Sequence, residues 1–220
     1  MTVLPDYAPP MEPYLDILYE DDHLLVLDKQ SGLLSVPGRH DHLKDCLESR
    51  VQSRFPTATT IHRLDMETSG ILVMALNKDI HGHIGRQFEH RRTEKTYIAR
   101  VAGHPAEDEG EVDLPLICDW PNRPRQMVDF ERGKKALTRW RVLEREADGV
   151  TRLKLKPVTG RSHQLRVHCQ QLGHSILGDP FYASEEVQER ADRLQLHAHS
   201  LTLFHPVRQE KITFTSPVPF

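Results

Sequence analysis

Residues 61–76 read IHRLDMETSGILVMAL. Six polar side chains, His62, Arg63, Asp65, Glu67, Thr68 and Ser69, crowd into a segment that closes at Gly70 and runs directly into the apolar residues 71–76. A short continuous apolar run bounded by turn residues has the composition of a buried strand. A polar loop seated on such a strand is the usual way a reactive group is held rigidly. Taken alone, Asp65 reads equally well as a turn aspartate that bonds its own backbone.

Outward from this stretch, residues 17–29 (ILYEDDHLLVLDK) predict two short strands around an acidic turn at Glu20, Asp21 and Asp22, most simply a hairpin. Leu43, Leu47, Val51 and Phe55 recur every four residues ahead of Pro56, the pattern of an amphipathic helix stopped by proline. Behind Asn77 as a cap, Ile80, Ile84 and Phe88 mark a second helix. A strand over 96–101 and a hairpin over 140–155, turning at Asp148 and Gly149, follow. Residues 158–173 (VTGRSHQLRVHCQQLG) predict a helix with Ser162 as its cap and Gly173 at its end. Leu165, Cys169 and Leu172 then share an apolar face, with His163, Arg166 and Gln170 on a neighbouring one. Arg166 is thereby either held toward a cleft or an ordinary surface arginine. Strands and helices interleave without regular βαβ alternation, which predicts an α+β fold with a mixed, mainly antiparallel sheet flanked by helices.

At 220 residues the chain is long enough for one catalytic domain, with room for two lobes. Its 38% hydrophobic and 28% charged content is that of a globular protein. No apolar run approaches the roughly 20 residues of a membrane helix, so no membrane partner is expected. The first twenty residues are acidic and proline-bearing, unlike a signal peptide, so the expected location is cytoplasmic. Cys46, Cys118 and Cys169 form no C-x-x-C pair and read as buried thiols. The net charge of −3 hides local basic stretches: 7 Lys/Arg against 2 acids over 121–141, and 5 against none over 152–168. This is the footprint of a face that tracks a phosphate backbone, or simply a solvated surface. Arg123, Arg125 and Arg161 are the candidate phosphate contacts. The fourteen histidines show no metal-ligand spacing, so no metal is expected. No glycine-rich phosphate loop accompanies the His62–Asp65 string, which excludes a kinase.

HRLDMETSG at 62–70 resembles the central motif of the RluA family of RNA pseudouridine synthases. LLVLDKQSGLLSVPG (24–38), EKTYIARVAG (94–103), TGRSHQLRVH (159–168), LGDPFY (177–182) and LHAHSLTLFHP (196–206) resemble further family blocks in family order. The resemblance implies the pseudouridine synthase catalytic fold with a central RNA-binding cleft, over residues 17–220. Residues 1–16 would be an N-terminal extension, with no separate N-terminal RNA-binding domain. It implies that Asp65 is the catalytic carboxylate, Tyr97 the active-site tyrosine that stacks a flipped uracil, and Arg166 the cation that keeps Asp65 ionised. Arg63 would fill the vacated stack, and His62, beside it at the RNA, would brace the loop. No cofactor is required, because the reaction exchanges one uracil–ribose bond for another. Together with LPLICDWPNRPRQ at 114–126, the pattern looks closest to the short subgroup acting on the tRNA anticodon stem-loop, at nucleotide 32, and on a stem-loop of 23S rRNA, at nucleotide 746. A monomer is expected. Gln30 stands where the family usually has proline, in what reads as a loop away from the catalytic motif. The alternative from another class is a noncatalytic RNA-binding or chaperone module on the same fold.

Overall fold

The computed structural model describes residues 7–220, so residues 1–6 of the expected N-terminal extension lie outside the described residues. The chain divides into two compact units, one running to Thr93 and including Ser200–Pro217, the other comprising Glu94–His199 and Val218–Phe220.

In the first unit β1 (Ile17–Glu20) and β2 (Leu24–Lys29) form the expected hairpin. Its acidic turn is built around one side chain. Asp21 Oδ1 accepts from the backbone N–H of His23 and of Leu24, both at 2.8 Å, while Oδ2 accepts from Tyr19 Oη at 2.6 Å and pairs with His205 Nε2 at 2.8 Å. His205 Nδ1 accepts from Arg208 N at 3.0 Å, which assigns the ring proton to Nε2. Helix α1 (Leu47–Arg54) starts one turn later than the leucine spacing predicts. Cys46 Sγ accepts from Ser49 N at 3.4 Å and Ser49 Oγ accepts from Cys46 N at 3.0 Å, a reciprocal cap that starts the helix at Leu47. Leu43 is left in a single 3-10 turn. β3 (Thr59–Thr60) and β4 (Ser69–Ala75) follow, both β2 and β3 pairing antiparallel with β4, every residue of which is buried. Helix α2 (Lys78–Glu89) is capped as expected, Asn77 Oδ1 accepting from Ile80 N at 3.0 Å. Ile80 and Ile84 pack with Val26, Ile71 and Val73 into this unit's core.

The described part of the N-terminal segment is tied to this unit by Arg50, a fully buried arginine of α1. Its guanidinium holds Asp45 at 2.7 Å through both Nε and Nη2, donates to Pro10 O at 2.8 Å and lies 4.7 Å from the centre of the Tyr14 ring.

The second unit contains β5 (Glu94–Ala102), β6 (Glu109–Asp113), the short ribbon β7 (Leu116–Cys118) and β8 (Gln126–Val128), β9 (Leu137–Glu146) and β10 (Val150–Pro157). β10 lies between β5 and β9, with β6 outside β9, all antiparallel. Gly149, at φ +75°, makes the turn between β9 and β10, a backbone conformation that L side chains rarely adopt. Helix α3 (Gln164–Gln171) buries Leu165 and Cys169 in a core with Trp140, Leu153 and Leu155. Burial pushes the Cys169 thiol up to about 12, so it stays protonated. Cys46 is buried too, but Cys118 is only half-buried because β7 belongs to the ribbon rather than the core.

Ser162 does not cap α3. The flanking position is His163, in the left-handed region at φ 52°, and the start is secured instead by Gln164, whose Oε1 accepts from Arg161 N at 3.0 Å and Thr159 Oγ1 at 2.7 Å. The other end is as expected. Gly173 N donates to Gln170 O at 2.9 Å and His174 N to Cys169 O at 3.0 Å, closing a Schellman motif. A short helix α4 (Glu185–Gln188) precedes β11 (Leu196–Phe204), whose first four residues fall in the second unit and the remainder in the first, where β12 (Lys211–Thr215) pairs antiparallel with it. The fold is thus mixed α+β and mainly antiparallel, as the interleaving predicts. Among the described residues, no helix is long and apolar enough to cross a membrane.

The Asp21 turn carries a pH signature. Partial burial works against its carboxylate, but the hydrogen bonds from Tyr19, Leu24, His23 and His205 outweigh it and hold the group well below the usual carboxylate range. A depressed folded-state value contributes stability that is present above the unfolded value and is lost as pH falls toward the folded one. Asp21→Asn should therefore lose about 1–3 kcal/mol in urea unfolding at pH 7. The gap to wild type should narrow below about pH 4.

Candidate active site

Asp65 lies in the connection between β3 and β4, partly exposed, as the first residue of a turn closed by Thr68 N donating to Asp65 O at 3.1 Å. The backbone on both sides of it is clamped by the loop that follows β2. Ser35 Oγ accepts from Leu64 N at 3.1 Å and donates to Leu64 O at 2.7 Å. Met66 O accepts from Lys29 Nζ and from Gly32 N, both at 2.9 Å. Ser31 Oγ donates to Glu67 O at 2.7 Å. Lys29 is fully buried at the end of β2, and its ammonium also donates to Gln30 O at 2.8 Å and Leu33 O at 2.6 Å. Three donors thus meet three carbonyls, which is how a buried ammonium avoids its desolvation penalty. Gly32, at φ +82°, supplies the left-handed turn that brings this loop against Met66.

His62 completes the support. Its Nε2 accepts from Val73 N at 3.0 Å, continuing the β3–β4 ladder by one side chain, and its ring stacks on Phe88 of α2 with centroids 4.6 Å apart. Arg63 between them is exposed. The outcome is a carboxylate on a stiff, solvent-reachable loop, suited to attack on carbon or to assisting a leaving group.

The second unit arranges Arg166 with comparable care. Only 2% exposed, it sends Nε to Asp179 Oδ2 at 2.8 Å and Nη2 to Asp179 Oδ1 at 2.7 Å, the two-pronged geometry of arginine on a carboxylate. Asp179 Oδ1 also accepts from Phe181 N at 2.9 Å and Tyr182 N at 3.1 Å, and both rings lie about the guanidinium at 5.1 and 5.2 Å. Tyr182 Oη in turn accepts from Gln126 N and meets His163 Nδ1, each at 2.7 Å. Tyr97 sits on β5 opposite Leu155 of β10, packed against the core beside it.

Of the basic candidates, Arg125 donates to Phe181 O, Arg161 Nε donates to Lys135 O at 3.1 Å, and Arg123 stacks on Trp120 at 4.7 Å; all three are exposed. The structure thus brings Arg166 and Arg125 to one turn, residues 179–182, and His62 to the support of the Asp65 loop. Arg123 shares the β7–β8 tip with Arg125, whereas Arg161 stands beside Lys135. Lys29, Ser35 and Asp179 are the functional supports that sequence reasoning missed. Their signals were faint: a lysine ending an apolar strand, and an aspartate between glycine and proline. The Gln30 loop also needs correction. It is not remote from the Asp65 motif, since Gln30 O is one of the three carbonyls on Lys29, and its side chain donates to Glu12 O at 2.8 Å.

Two substitutions test how Arg166 is held. Asp179→Asn should destabilise the fold by about 3 kcal/mol, because it removes the two-pronged counter-charge from a buried guanidinium. Gly178→Ala should be comparably damaging, since a Cβ there would sit 2.0 Å from Arg193 O on a backbone at φ +70°. Surface controls such as Glu186→Ala should stay within about 0.5 kcal/mol in the same denaturation series.

Residues 23–171 match the family profile described as RNA pseudouridylate synthase. The chain is 55% identical over 98% of both chains to the dual-specificity RNA pseudouridine synthase RluA of Escherichia coli (strain K12), and 58% identical to that of Yersinia pestis over 86% of this chain and 92% of the other. Among solved structures it superposes on human RNA pseudouridylate synthase domain containing 1 with a TM-score of 0.78 and 34% identity, covering 94% of this chain and 84% of that one. Such identity across the whole catalytic pattern decides between enzyme and noncatalytic module, and the chain belongs to the RluA family of RNA pseudouridine synthases.

Proposed function

We propose that this pseudouridine synthase uses Asp65 as its catalytic carboxylate on uridines of the tRNA anticodon stem-loop and of a 23S rRNA stem-loop. The observation that carries this reading is the clamp. The residues before and after Asp65 are locked by Ser35 and Lys29, so the carboxylate is positioned by the fold rather than by its own rotamer alone. The two RNA targets follow the resemblance of the motifs, and relatives at 55% identity named as dual-specificity RNA pseudouridine synthases support a reading with more than one RNA.

The chemistry breaks N1–C1′, turns the uracil and joins C5 to C1′; the C5 hydrogen leaves as a proton and N1 takes one up. Nothing is gained or lost overall. Asp65 acts either by bonding C1′ or by assisting departure of the uracil, and both routes need the same ionised group. A uridine in a stacked loop must be flipped out to react. In this reading Tyr97 receives the flipped base and Arg63 enters the space it leaves, while Arg166 provides the fixed positive charge that favours a carboxylate anion. His62 keeps the loop in register near the RNA, and Arg123, Arg125 and Arg161 contact phosphates. Residues 17–220 act as the catalytic domain, as a monomer in the cytoplasm.

Tritium release from stem-loop RNA labelled at uracil C5, without added cofactor, tests the proposal. Wild type should release label and Asp65→Ala should fall by at least about 10³-fold, the scale expected when a group essential to bond cleavage is removed, while still binding the RNA. Arg166→Lys, which keeps charge but loses the two-pronged geometry, should retain measurable but reduced turnover. Release by Asp65→Ala at the wild-type rate would reject Asp65 as the catalytic group.

A further inference from the structure

The β7–β8 ribbon carries a side-chain pair that the chemistry at Asp65 does not use. Its tip is closed by its own backbone: Asp119 N donates to Arg125 O at 3.0 Å, Asn122 N to Asp119 O at 3.0 Å and Arg125 N to Asn122 O at 3.1 Å. The one acid of the tip, Asp119, is engaged by Asn122 Nδ2 at 2.9 Å. The ribbon is fastened at its root as well, through Gln126 N to Tyr182 Oη at 2.7 Å and through Arg125 to Phe181 O. Those two rings are the ones packed about Arg166. The tip is therefore rigid and mechanically continuous with the turn that holds Arg166.

On this tip Trp120 is 64% exposed, with the Arg123 guanidinium 4.7 Å from its ring centre. The other tryptophan, Trp140, is only 7% exposed and belongs to the core. Leaving an indole in water forgoes burial that the fold could have used. The surroundings say what kind of ligand would recover it. Arg125, Lys134 and Lys135 are all exposed nearby in the chain, and so are Met127 and Phe130, so the neighbourhood offers cations together with apolar surface. An exposed indole with a planar cation over its ring suits an unpaired base together with its phosphate.

We propose that Trp120 and Arg123 form a second RNA contact, a stacking platform for an unpaired base of the substrate other than the target uridine, and so help decide which loops are accepted. This rests on the reading that the substrate is a structured RNA loop. Because Trp140 is buried away from any ligand, the change in tryptophan emission on adding RNA reports chiefly on Trp120.

The test titrates the full chain with a tRNA anticodon stem-loop and with a fully paired RNA duplex of equal length. The stem-loop should quench the emission and the duplex should not. Trp120→Ala should remove the quench and weaken stem-loop binding roughly 5- to 150-fold. Trp120→Phe, which keeps a ring, should recover most of that affinity. Arg123→Ala should weaken binding and reduce the salt dependence by about one phosphate contact. Equal quenching by the duplex would reduce the site to nonspecific charge and overturn the proposal. So would wild-type affinity in Trp120→Ala with turnover intact, which would leave the tip for a protein partner and the substrate reading untouched. A wild type that neither binds nor isomerises the stem-loop would overturn both.

Discussion

A buried ammonium on three carbonyl oxygens is the contact on which this site depends. Lys29 closes β2, and its reach to Gln30, Leu33 and Met66 binds the end of one strand, the loop after it and the residue beside Asp65 into one piece. An ammonium in that place is tolerated only while all three acceptors are present. The loop can therefore adopt few alternatives. Ser35 does the same at Leu64, using one hydroxyl as both donor and acceptor. Asp65 thus inherits its backbone position from its neighbours on both sides.

The second unit repeats the principle with the charges reversed. Asp179 is a buried carboxylate whose cost is met by Arg166 and by two backbone N–H groups, of Phe181 and Tyr182. The same turn that satisfies the acid packs two rings about the guanidinium. An arginine held this way has lost its rotamer freedom within the folded unit, and its guanidinium is fixed in advance. The left-handed backbone at His163 is part of this arrangement, since it sets the ring that meets Tyr182 Oη.

Much of this was legible in the sequence because local signals and global fold agree. The β1–β2 hairpin, the Asn77 cap, the buried strand after Gly70 and the Gly173 helix stop each follow from residue types whose physics is local. What escaped is nonlocal. Nothing in the spacing of Lys29 or Ser35 shows that their partners lie 37 and 29 positions on, and Ser162 looks like a better cap than the Gln164 side chain that takes that place. The start of α1 was missed for a related reason, because cysteine is an uncommon cap and Ser49 had to be read together with it. The chemistry itself was legible through the length and order of the resembling motifs rather than through any single residue.

The most direct test of the clamp is the single-turnover rate of pseudouridine formation at saturating RNA in Ser35→Ala and Lys29→Met, with RNA affinity measured in parallel. If the backbone around Asp65 is what positions the carboxylate, both variants lose rate, by roughly 10- to 100-fold for a displacement near 1 Å, while binding RNA as wild type does. Wild-type rates in folded samples of both variants would contradict the account.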